Sequence, residues 1–188
     1  ELVDQTAFAA LVKDGKPLLM AINLRCEDGQ IIATSTDSAR LSKKSVPVEG
    51  VSRMTANIPA KTLVEIARLP DPRDVVQISL GTENVIFEFG NTSVSSRLIA
   101  GDYPVSSNII PHNFNYFLEV NAKEMLSAIE RLSVLSLGVA SVVKLSMSER
   151  GVEVSSAVSQ TGSGVERINT FQDSGDRLEI AFNSVFVW

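Results

Sequence analysis

The chain has little of what catalysis and cross-linking require. Among 188 residues there is one cysteine, Cys26, and one histidine, His112. A lone cysteine excludes a disulfide framework, and without a CxxC or Cys/His cluster there is no pattern for a metal. The expectation is therefore no metal, no cofactor and a reducing, cytoplasmic setting. A lone histidine leaves any Ser/His/Asp or Cys/His arrangement with one available base and no nucleophile beside it in sequence. No apolar run approaches the length of a membrane span, and the first residues lack the basic-then-apolar order of a signal peptide. The net charge of −5 excludes a nucleic-acid binder that works by bulk positive charge. Gly162-Ser163-Gly164 lacks the lysine of a phosphate loop and joins strand to strand. Acidic pairs such as Glu27 with Asp28 and Asp71 with Asp74 fall in turns, where Asp bonds its local backbone.

What the chain has is repetition. At 44% hydrophobic content it can bury a proper core. Ala60-Lys61 opens an amphipathic stretch, followed by Val75-Val76 at the head of an alternating strand, a polar turn at Gly81–Asn84 and a second alternating strand. The same order begins again at Ala122-Lys123, with Val142-Val143 and a turn at Ser148–Gly151. The two helix starts lie 62 residues apart, and a further 62 residues beyond Asn121 stands Asn183, placed to cap a helix through Val185-Phe186-Val187. Backwards, Leu18–Leu24, a Glu27-Asp28-Gly29 turn and Gln30–Thr34 repeat the hairpin behind a helix-like Leu2–Val12. Both ends fall inside a unit, so the expectation is a segment of something longer.

Taken in order, the pattern predicts a helix over 2–12 with Leu2, Phe8, Leu11 and Val12 toward the core. Asp14-Gly15 and Pro17 end it. Strands follow from Leu18 and Gln30, then at 39–48 and 51–58, and Pro59 starts a helix that ends at Leu69 before Pro70-Asp71-Pro72. A hairpin (75–80 and 85–89) and a strand over 93–99 complete the first domain, set at 1–112. The stretch 101–113, rich in turn formers and flanked by prolines, reads as a connector. A second domain, 113–188, has strands at 114–120, 142–147, 152–158, 165–171 and 178–182, a helix over 122–135 and a polar loop at 159–164. The fold class is α+β.

One polar cluster stands out: Thr36-Asp37-Ser38-Ala39-Arg40-Leu41, between two strands. It reads either as a turn in which Asp37 bonds backbone amides and pairs with Arg40, or as part of an α+β enzyme site built on Asp37, Arg40 and His112. A structural repeat protein with no nucleic-acid role is the third possibility. Cations recur on the polar sides of the two predicted helices: Lys61 with Arg68, and Lys123 with Arg131. Lys13 and Lys16 flank the first hairpin.

Leu98-Ile99-Ala100-Gly101-Asp102-Tyr103-Pro104, followed by Ile109-Ile110-Pro111, resembles the L-I-x-G-x-(F/Y)-P…V-(I/L)-P linker of the bacterial sliding clamp family, the beta subunit of DNA polymerase III. Thr36-Asp37-Ser38-Ala39-Arg40-Leu41 is similar to that family's T-D-G-H-R-L, and the order of elements agrees along essentially the whole chain. The resemblance implies a DNA-clamp fold, with residues 1–112 as the middle domain, incomplete at its N-terminal edge, and 113–188 as the first part of the C-terminal domain. It implies a bacterial, nucleoid-associated, non-catalytic processivity factor, closed head to tail as a homodimer ring around duplex DNA held without regard to sequence. Implied partners are the DNA polymerase catalytic subunit, the clamp loader and repair proteins, through peptides that enter a groove between the middle and last domains. Matched residue by residue, Leu19, Thr36, Ser38, Ala39, Arg40, Leu41, Pro104, Asn108 and Ile109 form this chain's share of that groove. Lys13, Lys16, Lys61 and Lys123 are the implied phosphate contacts. Ser38 and Ala39 depart from the family's Gly-His, which removes any hydrogen bond made by the histidine and leaves the apolar pocket.

Overall fold

The computed structural model describes residues 1–13, 15–71, 74–104, 109–135, 142–148, 151–156, 162–174 and 177–186. Expectations that fall on Asp14, Pro72, Asn108, Glu149, Arg150, Val158, Ser159, Gln160, Thr161 and Val187 lie outside them. The chain divides into two units, Glu1–Ile110 and Pro111–Trp188.

In the first unit, Asp28 and Gly29 take positive φ (51° and 70°), the conformation a two-residue Asp-Gly hairpin demands. They join β1 (Ala21–Glu27) to β2 (Gln30–Thr36), which pair antiparallel with Glu27 opposite Gln30. β3 (Leu41–Pro47) pairs with β2 and β4 (Met54–Pro59) with β1, giving the order β3-β2-β1-β4. Helix α1 (Ala60–Ile66) starts directly from Pro59 and buries Ala60, Leu63 and Ile66. A second sheet, β5 (Gln77–Leu80), β6 (Asn84–Phe89) and β7 (Thr92–Arg97), has the order β5-β6-β7. Leu63 and Ile66 share one core with Ile22, Leu24 and Ile58 of the first sheet and Val85 and Phe87 of the second.

The second unit repeats this plan. β8 (Leu118–Val120) leads into α2 (Ala122–Val134), then come β9 (Val142–Ser148), β10 (Gly151–Ser156) and β11 (Val165–Ile168). β12 (Thr170–Asp173) pairs with β8, and β13 (Leu178–Asn183) pairs with β9, so the larger sheet runs β11-β10-β9-β13. That is the order of the first sheet with each strand replaced by its repeat. Ala128, Ile129 and Leu132 on one face of α2 close over Val143, Met147, Val152, Val154 and Ile168.

The α2 start is built locally: the Asn121 side-chain oxygen accepts the N–H groups of Lys123 (3.0 Å) and Glu124 (3.1 Å). Asn121→Ala is expected to lower the unfolding free energy by about 1 kcal/mol. The reading is a lower urea midpoint at unchanged slope; an unchanged midpoint would show that the cap contributes nothing.

Several expectations are corrected, among them the strand from Leu18, which begins at Ala21 after a 3₁₀ turn over Pro17–Met20. Residues 2–12 do not form one helix: two α-type bonds (Gln5 N–H to Glu1 O, 3.0 Å, and Ala7 N–H to Val3 O, 2.8 Å) give way to a 3₁₀ turn at Ala7–Ala9. Thr6 is the cause, since its hydroxyl bonds back to Leu2 O (2.8 Å) while its own carbonyl accepts the Ser35 hydroxyl. Phe8 (50% exposed) and Val12 (79%) therefore do not face the core. α1 ends at Ile66 rather than Leu69, as 3₁₀-type bonds from Arg68 and Leu69 close it ahead of Pro70. The predicted strand over 114–120 is reduced to Leu118–Val120, the length over which β12 offers a partner. The predicted strand over 165–171 is two strands, because the chain leaves β10 at Ile168 and joins β8 at Thr170. After Asn183, a 3₁₀ turn at Ser184–Phe186 stands at the predicted helix start, with Val185 N–H on the Asn183 side chain (3.1 Å).

Candidate functional site

The polar cluster is a turn, and the backbone N–H groups of Thr36 to Arg40 all find acceptors in or beside it. Thr36 ends β2 and stands opposite Leu41, the first residue of β3. Between them Asp37 Oδ1 accepts the N–H groups of Ala39 and Arg40, both at 2.9 Å, and Asp37 Oδ2 accepts Arg40 Nε–H at 3.1 Å. Thr36 Oγ1 donates to Arg40 O (2.7 Å) and accepts Ser38 N–H (3.1 Å). That last bond holds Ser38 at φ 78°, a left-handed conformation that costs a non-glycine residue about 1–2 kcal/mol. Burial alone would raise the Asp37 carboxyl, but the Arg40 and Ala39 amides and the Arg40 guanidinium outweigh it, and the pKa lies below the ordinary value. Asp37 is thus an ionised turn carboxylate, the opposite of a base poised near neutrality. The Arg40 guanidinium also sits 5.5 Å from the Phe8 ring centroid.

The connector is bound to this end of the sheet by two residues. Asn57, buried on β4, accepts the Asn23 amide on Oδ1 (2.8 Å) and donates to Ile99 O (3.2 Å) and Gly101 O (2.8 Å). Tyr103 accepts Thr36 N–H (3.1 Å) and donates its hydroxyl proton to Ala21 O (3.3 Å), where β1 begins. Gly101 makes the bend between them at φ 120°, and a Cβ there would stand 3.0 Å from a Leu18 methyl. Of the predicted groove residues, Thr36, Ser38, Ala39, Arg40, Leu41 and Pro104 therefore meet at one end of the sheet. Leu19 belongs there too, in the 3₁₀ turn Pro17–Met20 that feeds β1. Leu19 and Leu41 are half-buried, Pro104 exposed. Ile109 is exposed, and among the described residues no hydrogen bond joins it to the turn.

The four predicted phosphate-contact lysines, Lys13, Lys16, Lys61 and Lys123, are exposed and make no ion pair among the described residues. Lys44 and Lys144, by contrast, are paired with Glu1 (3.3 Å) and Glu179 (2.7 Å). In the first unit Lys61 and Arg68 line an apolar cavity of about 450 Å³ together with Leu11, Met20, Val64 and Ile99. In the second, Lys123 lines a polar cavity of about 580 Å³ with Arg131, Glu166 and Arg167. Glu166 grips the Arg131 guanidinium through two N–H donors, and that bond raises the arginine's pKa and lowers the glutamate's.

Asn57, Asn23 and Phe8 were missed as site-building residues from the sequence. The signal for Asn57 was an asparagine inside a run of buried strand positions, Ala56-Asn57-Ile58. Nothing in its spacing points to residues 99 and 101.

Comparison with known proteins agrees from end to end. The family described as "DNA polymerase III beta subunit, central domain" matches residues 1–105, and "DNA polymerase III beta subunit, C-terminal domain" matches 107–188. A curated beta sliding clamp of Staphylococcus aureus is 32% identical over 99% of this chain and 50% of its own length. The solved DNA polymerase sliding clamp of Bacillus subtilis is 33% identical over 98% of this chain and 50% of that one, at TM-score 0.93. The DNA polymerase III beta chain of Streptococcus pneumoniae superposes at TM-score 0.93 with 28% identity, over 99% of this chain and 50% of that one. The chain spans about half the length of the curated relatives it matches.

Proposed function

Since the chain belongs to the DNA polymerase III beta-subunit family, we propose that it works as part of a DNA sliding clamp: a ring that encircles duplex DNA and tethers the replicative polymerase. The observation that carries this reading is the match to the family's central domain over 1–105 and to its C-terminal domain over 107–188. Encirclement needs only weak, sequence-independent phosphate contacts, so an acidic chain suffices if its cations are suitably confined. Lys13, Lys16, Lys61 and Lys123 are proposed for that role, and their freedom from ion pairs among the described residues supports it. The Thr36–Leu41 turn, with Leu19, Pro104, Asn108 and Ile109, is proposed as this chain's share of a groove for short partner peptides. Its occupants are polymerase, clamp-loader and repair-protein segments that bring a leucine or aromatic anchor to Leu19, Leu41 and Pro104. Residues 1–112 act as the middle domain and 113–188 as the first part of the C-terminal one, in a head-to-tail homodimer in the bacterial cytoplasm.

The test loads the complete protein, with its clamp loader, onto nicked circular DNA and washes at high salt before and after the circle is cut. Screened electrostatic contacts do not distinguish circle from line. The expected result is retention on the circle and loss on linearisation. Equal retention on both forms, once loading is demonstrated, overturns the ring.

A further inference from the structure

The peptide-groove reading assigns no role to the hydroxyl of Tyr103, yet that hydroxyl joins three separate pieces of the first unit. It takes the Thr36 amide at the end of β2 and gives its proton to the Ala21 carbonyl at the start of β1, while its own residue carries Pro104. Leu19 lies two residues before Ala21, and Leu41 stands opposite Thr36. The one phenol therefore bonds the ends of β1 and β2 that adjoin Leu19 and Leu41, and directly precedes Pro104 in the chain. Thr36 is buried, and the acceptor its N–H finds is the Tyr103 hydroxyl. The route to this bond is prepared upstream: Asn57 holds Ile99 and Gly101, and the Gly101 bend, which a side chain would drive into Leu18, turns the chain inward. Burial raises the phenol's pKa, so the hydroxyl keeps the proton it gives to Ala21.

We propose that the Tyr103 hydroxyl is the positioning group of the groove, fixing the Thr36–Leu41 turn, the Leu19 turn and Pro104 in the spacing that a partner's anchor residue enters. This rests on the peptide-groove reading above. Its action is preorganisation: the pocket is set before the peptide arrives, so less ordering has to occur on binding. The hydroxyl touches no ligand. Its removal loosens the walls while leaving every apolar contact surface in place.

The experiment uses the complete protein and a fluorescently labelled peptide with a leucine and a phenylalanine as anchors. Tyr103→Phe keeps the ring and removes only the bridge. The expected result is a 5- to 10-fold loss of peptide affinity, with faster hydrogen exchange at the Thr36 amide and unchanged topological retention on circular DNA. Asn121→Ala, which weakens the second unit without touching this end of the first, is the stability control and is expected to bind the peptide as the parent does. Parent-like affinity in Tyr103→Phe overturns the proposal, and so does an equal loss in Asn121→Ala, since either result leaves the hydroxyl a general stabiliser. If the parent protein itself fails to bind the peptide, the groove reading fails first and takes this one with it.

Discussion

Leu41→Asp is expected to weaken binding of a leucine-and-phenylalanine anchor peptide to the complete protein by roughly 100-fold or more, with the fold intact. Leu41 begins β3 opposite Thr36 and is half-buried, with part of its side chain open to a ligand. Burying an apolar anchor against it is worth about 1.5–3 kcal/mol. A carboxylate in its place removes that gain and adds the cost of stripping water from an unpaired charge when the anchor arrives, about 1–3 kcal/mol at the low end. At 1.4 kcal/mol per tenfold, a loss of about 3 kcal/mol is already more than 100-fold. The fold tolerates the change because the position terminates a strand at a turn and remains partly wet. Pro104→Asp is expected to act in the same direction with a smaller loss, because Pro104 is exposed and a carboxylate there keeps more of its water when the anchor arrives. Fluorescence anisotropy gives the affinity and circular dichroism the fold. Parent-like affinity in a folded Leu41→Asp protein would remove the turn from the groove.

The features legible in the sequence are those written in short-range chemistry. Asp28-Gly29 dictates its hairpin, and Asn121 its helix start, because each acts on backbone within three residues. The 62-residue period carried the fold further than propensity could, since a repeated block must find a repeated packing solution. β3-β2-β1-β4 and, two periods on, β11-β10-β9-β13 are that solution used again, with β5-β6-β7 between them. The break at Asn169 was hard to read because one asparagine between Val165–Ile168 and Thr170-Phe171 is a weak signal; the demand of two different partners, β10 and β8, divides the stretch. The Leu2–Val12 segment has helical spacing, but Ser35 takes the Thr6 carbonyl from 29 residues away, and no local pattern reports that bond. The candidate site divides in the same way. The Thr36–Leu41 turn was visible as a cluster of turn-forming residues, while the two side chains that fasten the connector to this end of the sheet act over 42–44 and 67 residues for Asn57 and Tyr103 respectively.

The largest effect on the architecture of that end is expected from Asn57→Ala. Its side chain satisfies Ile99 O, Gly101 O and the Asn23 amide at once, from a position 7% exposed. Alanine cannot replace any of the three, and each buried group left without a partner costs about 1–3 kcal/mol. Water reaches the connector carbonyls more easily than Asn23, so the sum falls short of three full penalties. The expected loss is about 2–4 kcal/mol, a large share of the 5–15 kcal/mol that ordinarily holds a domain together. It should be local as well as large, because Ile99 N–H bonds the Asn57 carbonyl (2.9 Å) and opens when the connector lifts. Hydrogen exchange at Ile99 is therefore expected to accelerate by about 30- to 1,000-fold, and at β6, in the middle of the other sheet, by much less. Asn23→Ala tests the network: if Asn23 and Asn57 are coupled through their 2.8 Å bond, the double variant loses less than the two single losses added together. Strict additivity would mean that the two asparagines act separately, and that Asn57 holds the connector without support from Asn23.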